Sequence, residues 1–99
     1  ISIPPRPEDF RLVFHLYIVF AKDRDGLLKY CLDKGIDAKI HYPIPIYKQS
    51  ALDYLGYKDG DFPVTDEHVE KIITFPCDQH LVQEQLDYII SSVAEYYEK

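Results

Sequence analysis

A small single-domain α/β sandwich, with a short mixed sheet of about three strands packed by three to four helices, is the fold class these 99 residues predict. Three observations predict it. Leu12–Phe20 is a β-branched and aromatic run, Ile36–Tyr42 alternates apolar with polar residues, and Leu81–Tyr97 repeats its apolar residues at helical spacing. Strand, helix and strand within about thirty residues is the pattern of a βαβ unit, or of a split version with a strand inserted.

The elements follow in order. Pro4, Pro5 and Pro7 keep Ile1–Asp9 extended, so residues 1–11 read as a linker from an upstream domain into the domain 12–99. In Leu12–Phe20, Leu12, Phe14, Leu16, Ile18 and Phe20 share one face, while Val13, His15, Tyr17 and Val19 share the other. Both faces are largely apolar, which predicts a central strand covered on each side. His15 then reads as a core or interface histidine. Asp23 is placed to cap the next helix, whose apolar stripe is Leu27, Leu28, Cys31 and Leu32 and whose end is Gly35. A second strand follows, with Ile36, Ala38, Ile40 and Tyr42 on one face and Asp37, Lys39 and His41 on the other. Pro43 and Pro45 stiffen the loop that leaves it. Ser50 can cap a short helix, Ala51–Leu55, ended by Gly56, and Thr65 can cap a helix carrying Val69, Ile72 and Ile73. Ile73–Pro76 reads as a short third strand. The last helix presents Val82, Leu86, Ile89, Ile90 and Val93 on one face.

Composition bounds the function. Seventeen acidic residues against eleven basic ones give a net charge of −6, which argues against a nucleic-acid partner, since phosphate neutralisation needs a basic surface. The longest apolar run, Leu12–Ala21, is interrupted by His15 and is too short to span a membrane, and Ile1–Phe10, with three prolines and two acids, is not expected to be a signal peptide. Cytoplasmic residence is the expectation. Cys31 and Cys77 are too sparse for a disulfide scaffold and read as buried thiols in a reducing compartment. Without a Met anywhere, position 1 included, the chain is expected to have been processed or to be a piece of something longer.

The stretch His41-Tyr42-Pro43-Ile44-Pro45-Ile46-Tyr47 is where chemistry is most concentrated. A rigid loop at a strand end presents side chains to a ligand at little entropic cost. The same residues could equally terminate a strand and shield the sheet edge. Other constellations are thinner. Cys77 and His80 have the spacing of half a zinc site but lack a second pair. Asp59, Asp61, Asp66 and Glu67 cluster without a partner arrangement and read as a solvated turn. Tyr88, Tyr96 and Tyr97 read as an interface or as ordinary helix amphipathy.

Gly35-Ile36 followed by His41-Tyr42-Pro43-Ile44-Pro45, then Leu55-Gly56-Tyr57-Lys58-Asp59-Gly60-Asp61-Phe62-Pro63-Val64, then Phe75-Pro76 before the last helix, stand in a telling order. Together with the opening Phe14-His15-Leu16-Tyr17-Ile18-Val19, they resemble the C-terminal small domain of the DegT/DnrJ/EryC1/StrS aminotransferase family. That resemblance implies a homodimeric fold-type I enzyme moving an amino group, usually from glutamate, onto a nucleotide-linked keto-sugar; a few relatives dehydrate a sugar instead. It also implies pyridoxal phosphate as electron sink, held by a lysine in a large domain upstream. None of the lysines here lies in a matching motif, and Gly26, Gly35, Gly56 and Gly60 form no phosphate-cradling loop. No cofactor is therefore expected on this chain, and no transamination by it alone. By the resemblance, His41 borders the substrate entrance, Tyr42, Pro43 and Pro45 shape its wall, and Tyr47 stands where the family often has a second histidine. Thr65-Asp66 replaces the commoner alanine-glutamate pair, which reads as a structural change. The alternative to an enzyme domain is a free-standing binding or regulatory module of the same fold.

Overall fold

The computed structural model describes Ile1–Lys99 throughout. The α/β class holds. Two four-residue strands, β1 (Tyr17–Phe20) and β2 (Ile72–Phe75), pair antiparallel with Tyr17 opposite Phe75 and Phe20 opposite Ile72. Three α-helices surround them: α1 (Arg24–Asp33), α2 (Pro63–Lys71) and α3 (Gln83–Glu98). Two short 3₁₀ turns, Ile46–Lys48 and Ser50–Leu55, carry the chain between the first half and the second.

The sheet is smaller than the sequence suggests, and backbone chemistry explains why. Leu12–Leu16 does not join β1, because the residue that would continue the ladder beyond Phe75 is Pro76, which has no N–H to donate. Leu12, Val13, Phe14 and His15 are consequently exposed, so His15 is not a core histidine. The expected strand Ile36–Tyr42 shrinks to one bridge, in which Lys39 and Thr74 exchange N–H···O bonds of 3.0 and 2.8 Å. Just before it, the Ala38 N–H turns back onto the Ile36 carbonyl at 2.8 Å, a tight local turn that interrupts any ladder. Burial still alternates there: Ile36 and Ala38 are buried, and Asp37 and Lys39 are exposed. On the other edge Ser2 exchanges backbone bonds with Phe20 at 2.7 and 2.8 Å, so the approach segment is stitched to the sheet.

The core lies on one face of this ribbon. Val19, Ala21, Leu27, Cys31, Ile36, Ala38 and Ile73 form a single buried cluster, flanked by Tyr17, Phe75, Ile89, Val93 and Tyr96. Burial holds the Cys31 thiol above its ordinary pKa, so it is an inert packing group; Cys77 is exposed, against the expectation of two buried thiols.

Helix ends are set differently from the sequence reading at three places. Ser50 makes no cap bond and lies inside the 3₁₀ turn Ser50–Leu55, whose preceding residue is Gln49. Asp23 takes a left-handed conformation and makes no cap bond; its carboxylate accepts the Tyr96 hydroxyl at 2.6 Å instead. Thr65 lies inside α2, which begins two residues earlier at Pro63, where a fixed φ and a missing N–H cost nothing. The end of α1 is as read. Gly35 sits at φ 77°, and the paired bonds Ile36 N–H to Cys31 O (2.9 Å) and Gly35 N–H to Leu32 O (3.0 Å) close a Schellman motif.

The three tyrosines of α3 are staples. Tyr88 donates to the Lys34 carbonyl at 2.9 Å, Tyr96 to Asp23, and Tyr97 to the Lys22 carbonyl at 2.6 Å, bracketing α1 at both ends in an antiparallel pair. Gly26 allows this closeness, since a Cβ there would lie 2.3 Å from the Tyr96 hydroxyl. Arg24 closes the remaining junction by donating to the carbonyls of Val69 and Ile72 at 2.9 and 3.3 Å.

Leu27 is fully buried, whereas Leu32 on the same helix is half exposed. Leu27→Ala is expected to lower the unfolding free energy by about 2–5 kcal/mol, and Leu32→Ala by well under half of that. Urea denaturation followed by circular dichroism measures both; equal losses would mean the core is not where the ribbon places it.

Candidate functional site

The loop His41–Tyr47 is anchored at both ends. At its start, His41 is half-buried and its Nδ1 lies 3.0 Å from the hydroxyl of buried Thr74 on β2. That bond fixes the ring and leaves Nε2 without a partner in the chain. The His41 ring meets Tyr42 edge-on at 5.3 Å between centroids. Tyr42 is 65% exposed, and Pro43, Ile44 and Ile46 are also exposed. Pro45 and Tyr47 turn inward and are buried. Of the five residues singled out in the sequence, His41, Tyr42 and Pro43 thus face or border solvent, and Pro45 and Tyr47 brace the loop from behind.

The inner anchor went unread in the sequence. The Tyr47 hydroxyl donates to Asp66 Oδ1 at 2.5 Å, and the other carboxylate oxygen accepts the Gly60 N–H at 3.1 Å. Lys48 Nζ reaches both Asp66 Oδ1 at 3.2 Å and Asp59 Oδ1 at 3.0 Å. Around the Tyr47 ring stand Phe62, 4.8 Å away, and Tyr57, 6.4 Å away. One carboxylate therefore joins the His41–Tyr47 loop, the Lys58–Asp61 turn and the first turn of α2. The acidic cluster that reads as a solvated turn contains this joint; the signal available in the sequence was Asp66 in the first turn of a helix headed by a proline, where a carboxylate is favoured. The Tyr47 hydroxyl, then Lys48 and the Gly60 N–H, hold the Asp66 carboxyl below its ordinary value of 3.8 against the opposing effect of burial. Asp59 and Asp66 push Lys48 well above its ordinary value.

A different surface lies across the ribbon. Tyr17, Val19 and Phe75 open into an apolar groove of about 790 Å³, walled by α3 residues including Leu86, Ile90 and Val93. The pleat puts Thr74, and His41 with it, on the opposite face. Ile90, on the face of α3 expected to be buried, is 67% exposed. The accessible surface of 7594 Å² exceeds the roughly 5,800 Å² of a compact monomer of this mass, and the radius of gyration of 15.7 Å exceeds the roughly 12.6 Å of a compact chain.

The residues present do not fit pyridoxal phosphate. A lysine that forms a Schiff base must lose its proton readily. Lys29, Lys34, Lys39, Lys48, Lys71 and Lys99 are instead each within 3.4 Å of a carboxylate, Lys22 and Lys58 are exposed side chains outside any enclosed site, and Lys48, beside the loop, is shifted the wrong way. Gly35, Gly56 and Gly60 serve isolated turns with positive φ. No group of three or more His, Cys, Asp and Glu is arranged for a metal, and no helix is long and apolar enough to cross a membrane.

The model of the DegT/DnrJ/EryC1/StrS aminotransferase family matches residues 1–94. The chain belongs to this family. Among its relatives, a protein of Geobacillus stearothermophilus described as a pleiotropic regulatory protein is 32% identical over 96 residues, 96% of this chain and 26% of that one. The dTDP-3-amino-3,6-dideoxy-alpha-D-galactopyranose transaminase of Aneurinibacillus thermoaerophilus is 28% identical over 96 residues, 97% of this chain and 26% of its own length. The fold superposes on S. venezuelae DesV, solved in complex with a ketimine intermediate, with a TM-score of 0.93 at 28% identity, over 99% of this chain and 26% of that one. A DegT DnrJ EryC1 StrS aminotransferase from Brucella abortus superposes at 0.88 and 26% identity, over the same shares of the two chains. This member of the family therefore spans about a quarter of the length of the relatives it matches.

The Asp66 joint has a testable acid limb. Its lowered pKa contributes stability that is complete above pH 3.8 and is lost as pH falls through the folded-state value. The groups facing it are the Tyr47 hydroxyl, Lys48, the Gly60 N–H and, through Lys48, Asp59. Acidification below pH 3.8 is expected to mobilise the Tyr47 ring, seen as exchange broadening of its NMR signals, and Asp66→Asn is expected to show that broadening already at pH 7. Identical pH profiles for the two proteins would remove Asp66 from this role.

Proposed function

We propose that residues 12–99 are the C-terminal small domain of a pyridoxal-phosphate-dependent aminotransferase acting on nucleotide-linked keto-sugars in amino-sugar biosynthesis, with residues 1–11 leading in from a large domain. The observation that carries this reading is the superposition on DesV over 99% of this chain and only 26% of that one, with a TM-score of 0.93. The cofactor supplies the electron sink and, on this reading, sits on the large domain, since the lysines and glycines here do not fit it. Glutamate is the amino donor, the longer protein is a homodimer, and it works in the cytoplasm.

Within that frame the chain's own residues bind and orient. His41, fixed through Thr74, offers Nε2 at the entrance for a polar group of the sugar nucleotide. Exposed Tyr42 and Pro43 form the wall beside it, and buried Pro45 and Tyr47 keep that wall from yielding. The groove on the other face is the seat of the large domain. Its apolar lining and the excess accessible surface support this, as does the further three-quarters of chain that the relatives carry.

Two experiments test the reading. The longer polypeptide containing these residues, supplied with pyridoxal phosphate, is expected to gain visible absorbance and glutamate-dependent amination of a dTDP-linked keto-sugar. His41→Ala in that protein should raise KM for the sugar nucleotide by about 2- to 13-fold, the loss of one hydrogen bond, while leaving kcat little changed. A protein that stays colourless would favour the free-standing module instead. For the groove, the 99-residue chain is expected to self-associate at micromolar concentration, and Ile90→Lys to return it to monomer in sedimentation velocity. A wild-type chain that is monomeric throughout would argue against an unsatisfied docking face.

A further inference from the structure

The entrance loop is anchored at its two ends, with little between them. Between the His41–Thr74 bond and the 3₁₀ turn at Ile46–Lys48, no backbone ladder fixes it, one side-chain bond runs from Gln49 Nε2 to the Ile44 carbonyl at 3.3 Å, and Tyr42, Pro43, Ile44 and Ile46 are exposed. A loop of that kind is ordered only by what its inward side chains reach. Tyr47 is the inward side chain with a polar end, and that end is occupied by Asp66. Asp66 in turn is bonded at once to the loop, through Tyr47 and Lys48, and to the Lys58–Asp61 turn, through Gly60, whereas Asp59, itself in that turn, reaches only Lys48. It touches no exposed part of the wall. Its influence on a ligand has to pass through Tyr47.

We infer that Asp66 is a positioning residue for the substrate entrance, setting the place of the Tyr42–Pro45 wall through the buried Tyr47 hydroxyl. This rests on the proposed function for the meaning of the wall, though not for the mechanical link itself. The inner partner is chemically specific. A carboxylate can accept from Tyr47 on one oxygen and from the Gly60 N–H on the other while balancing the Lys48 charge; an amide of the same shape loses the charge and presents N–H where one acceptor is needed. Tyr47→Phe removes the same link from its other end. The two substitutions therefore cut one connection and should not add.

The first arm is made on the 99-residue chain. Asp66→Asn and Tyr47→Phe are each expected to shift the amide NMR signals of residues 41–47, and the double variant to match the larger single one. Glu70→Gln, on the exposed side of α2, serves as the control and should leave them in place. The second arm uses the longer protein with dTDP-3-amino-3,6-dideoxy-α-D-galactopyranose and 2-oxoglutarate, the reverse direction. Asp66→Asn is expected to raise KM for the amino sugar by about 3- to 10-fold with kcat within about 2-fold and KM for 2-oxoglutarate unmoved. Unshifted signals at residues 41–47, or additive effects of the two substitutions, would overturn the link. Equal losses in both substrates' KM and in kcat would reduce Asp66 to general stability. If the longer protein turns over no amino sugar at all, the enzyme reading falls, while the first arm still decides whether Asp66 governs the loop.

Discussion

Four residue pairs of antiparallel backbone, Tyr17–Phe20 against Ile72–Phe75, hold the layout of this domain. A two-stranded ribbon is marginal by itself in water, so it persists only because side chains cover it. Everything else attaches to that ribbon. Ser2 pairs with one edge and Lys39 with the other. Arg24 reaches the carbonyls at the end of α2 and the start of β2, and Ala21 donates to the Lys71 carbonyl at 2.8 Å. The pleat then divides labour. Val19, Ile73 and Phe75 turn toward α1 and α3, and Thr74 turns away to receive His41.

That division separates two surfaces of opposite character. One face ends in an apolar groove, suited to being covered permanently; the other ends in a loop stiffened by prolines and tied down by polar bonds, suited to meeting a polar ligand repeatedly. The loop's order comes from hydrogen bonds as well as from the burial of Pro45 and the Tyr47 ring. Such bonds are directional, so they set position as well as stability. A loop packed only by Phe62 and Tyr57 against Tyr47 could slide; one whose hydroxyl is bonded to Asp66 is indexed to α2.

What the sequence made legible was whatever depends on neighbours in sequence. The apolar stripe of α1, the Gly35 terminus, the short strand before Pro76 and the final helix are all local patterns, and each stands close to where it was read. The family motifs were legible too, being ordered strings of residues. Failures occur where a distant partner decides. Leu12–Leu16 has strand composition, yet Pro76 sixty residues on denies it a ladder partner. Asp23 has an N-cap's chemistry, yet Tyr96 takes its carboxylate. Thr65 and Asp66 look like a helix start and a solvated acid. Pro63 begins the helix, and Tyr47 claims the acid. Two places where the chain departs from the family pattern, Tyr47 and Asp66, are thus in contact, which no reading of either stretch alone could reveal.

The final helix shows where the open apolar surface comes from. Its apolar positions were read correctly as one face, but that face is wider than α1 and the ribbon can cover. Ile89 and Val93 pack on the core, while Ile90 and Leu86 line the open groove. With 46% hydrophobic residues and only 11 of 99 buried, the chain has far more apolar surface than its own core absorbs. Tightening the fold would not solve this, because the Tyr88, Tyr96 and Tyr97 hydroxyls already fix α3 against α1 at both ends. The helix cannot roll its outer face inward without breaking all three bonds. The groove is therefore a consequence of a rigid internal arrangement, and the free energy of covering it is available only to a partner surface. Stability and the groove are linked in that sense: a surface covering the groove would stabilise the same α3 that anchors α1, and through Gly35, Lys39 and Thr74 the ribbon on which His41 rests.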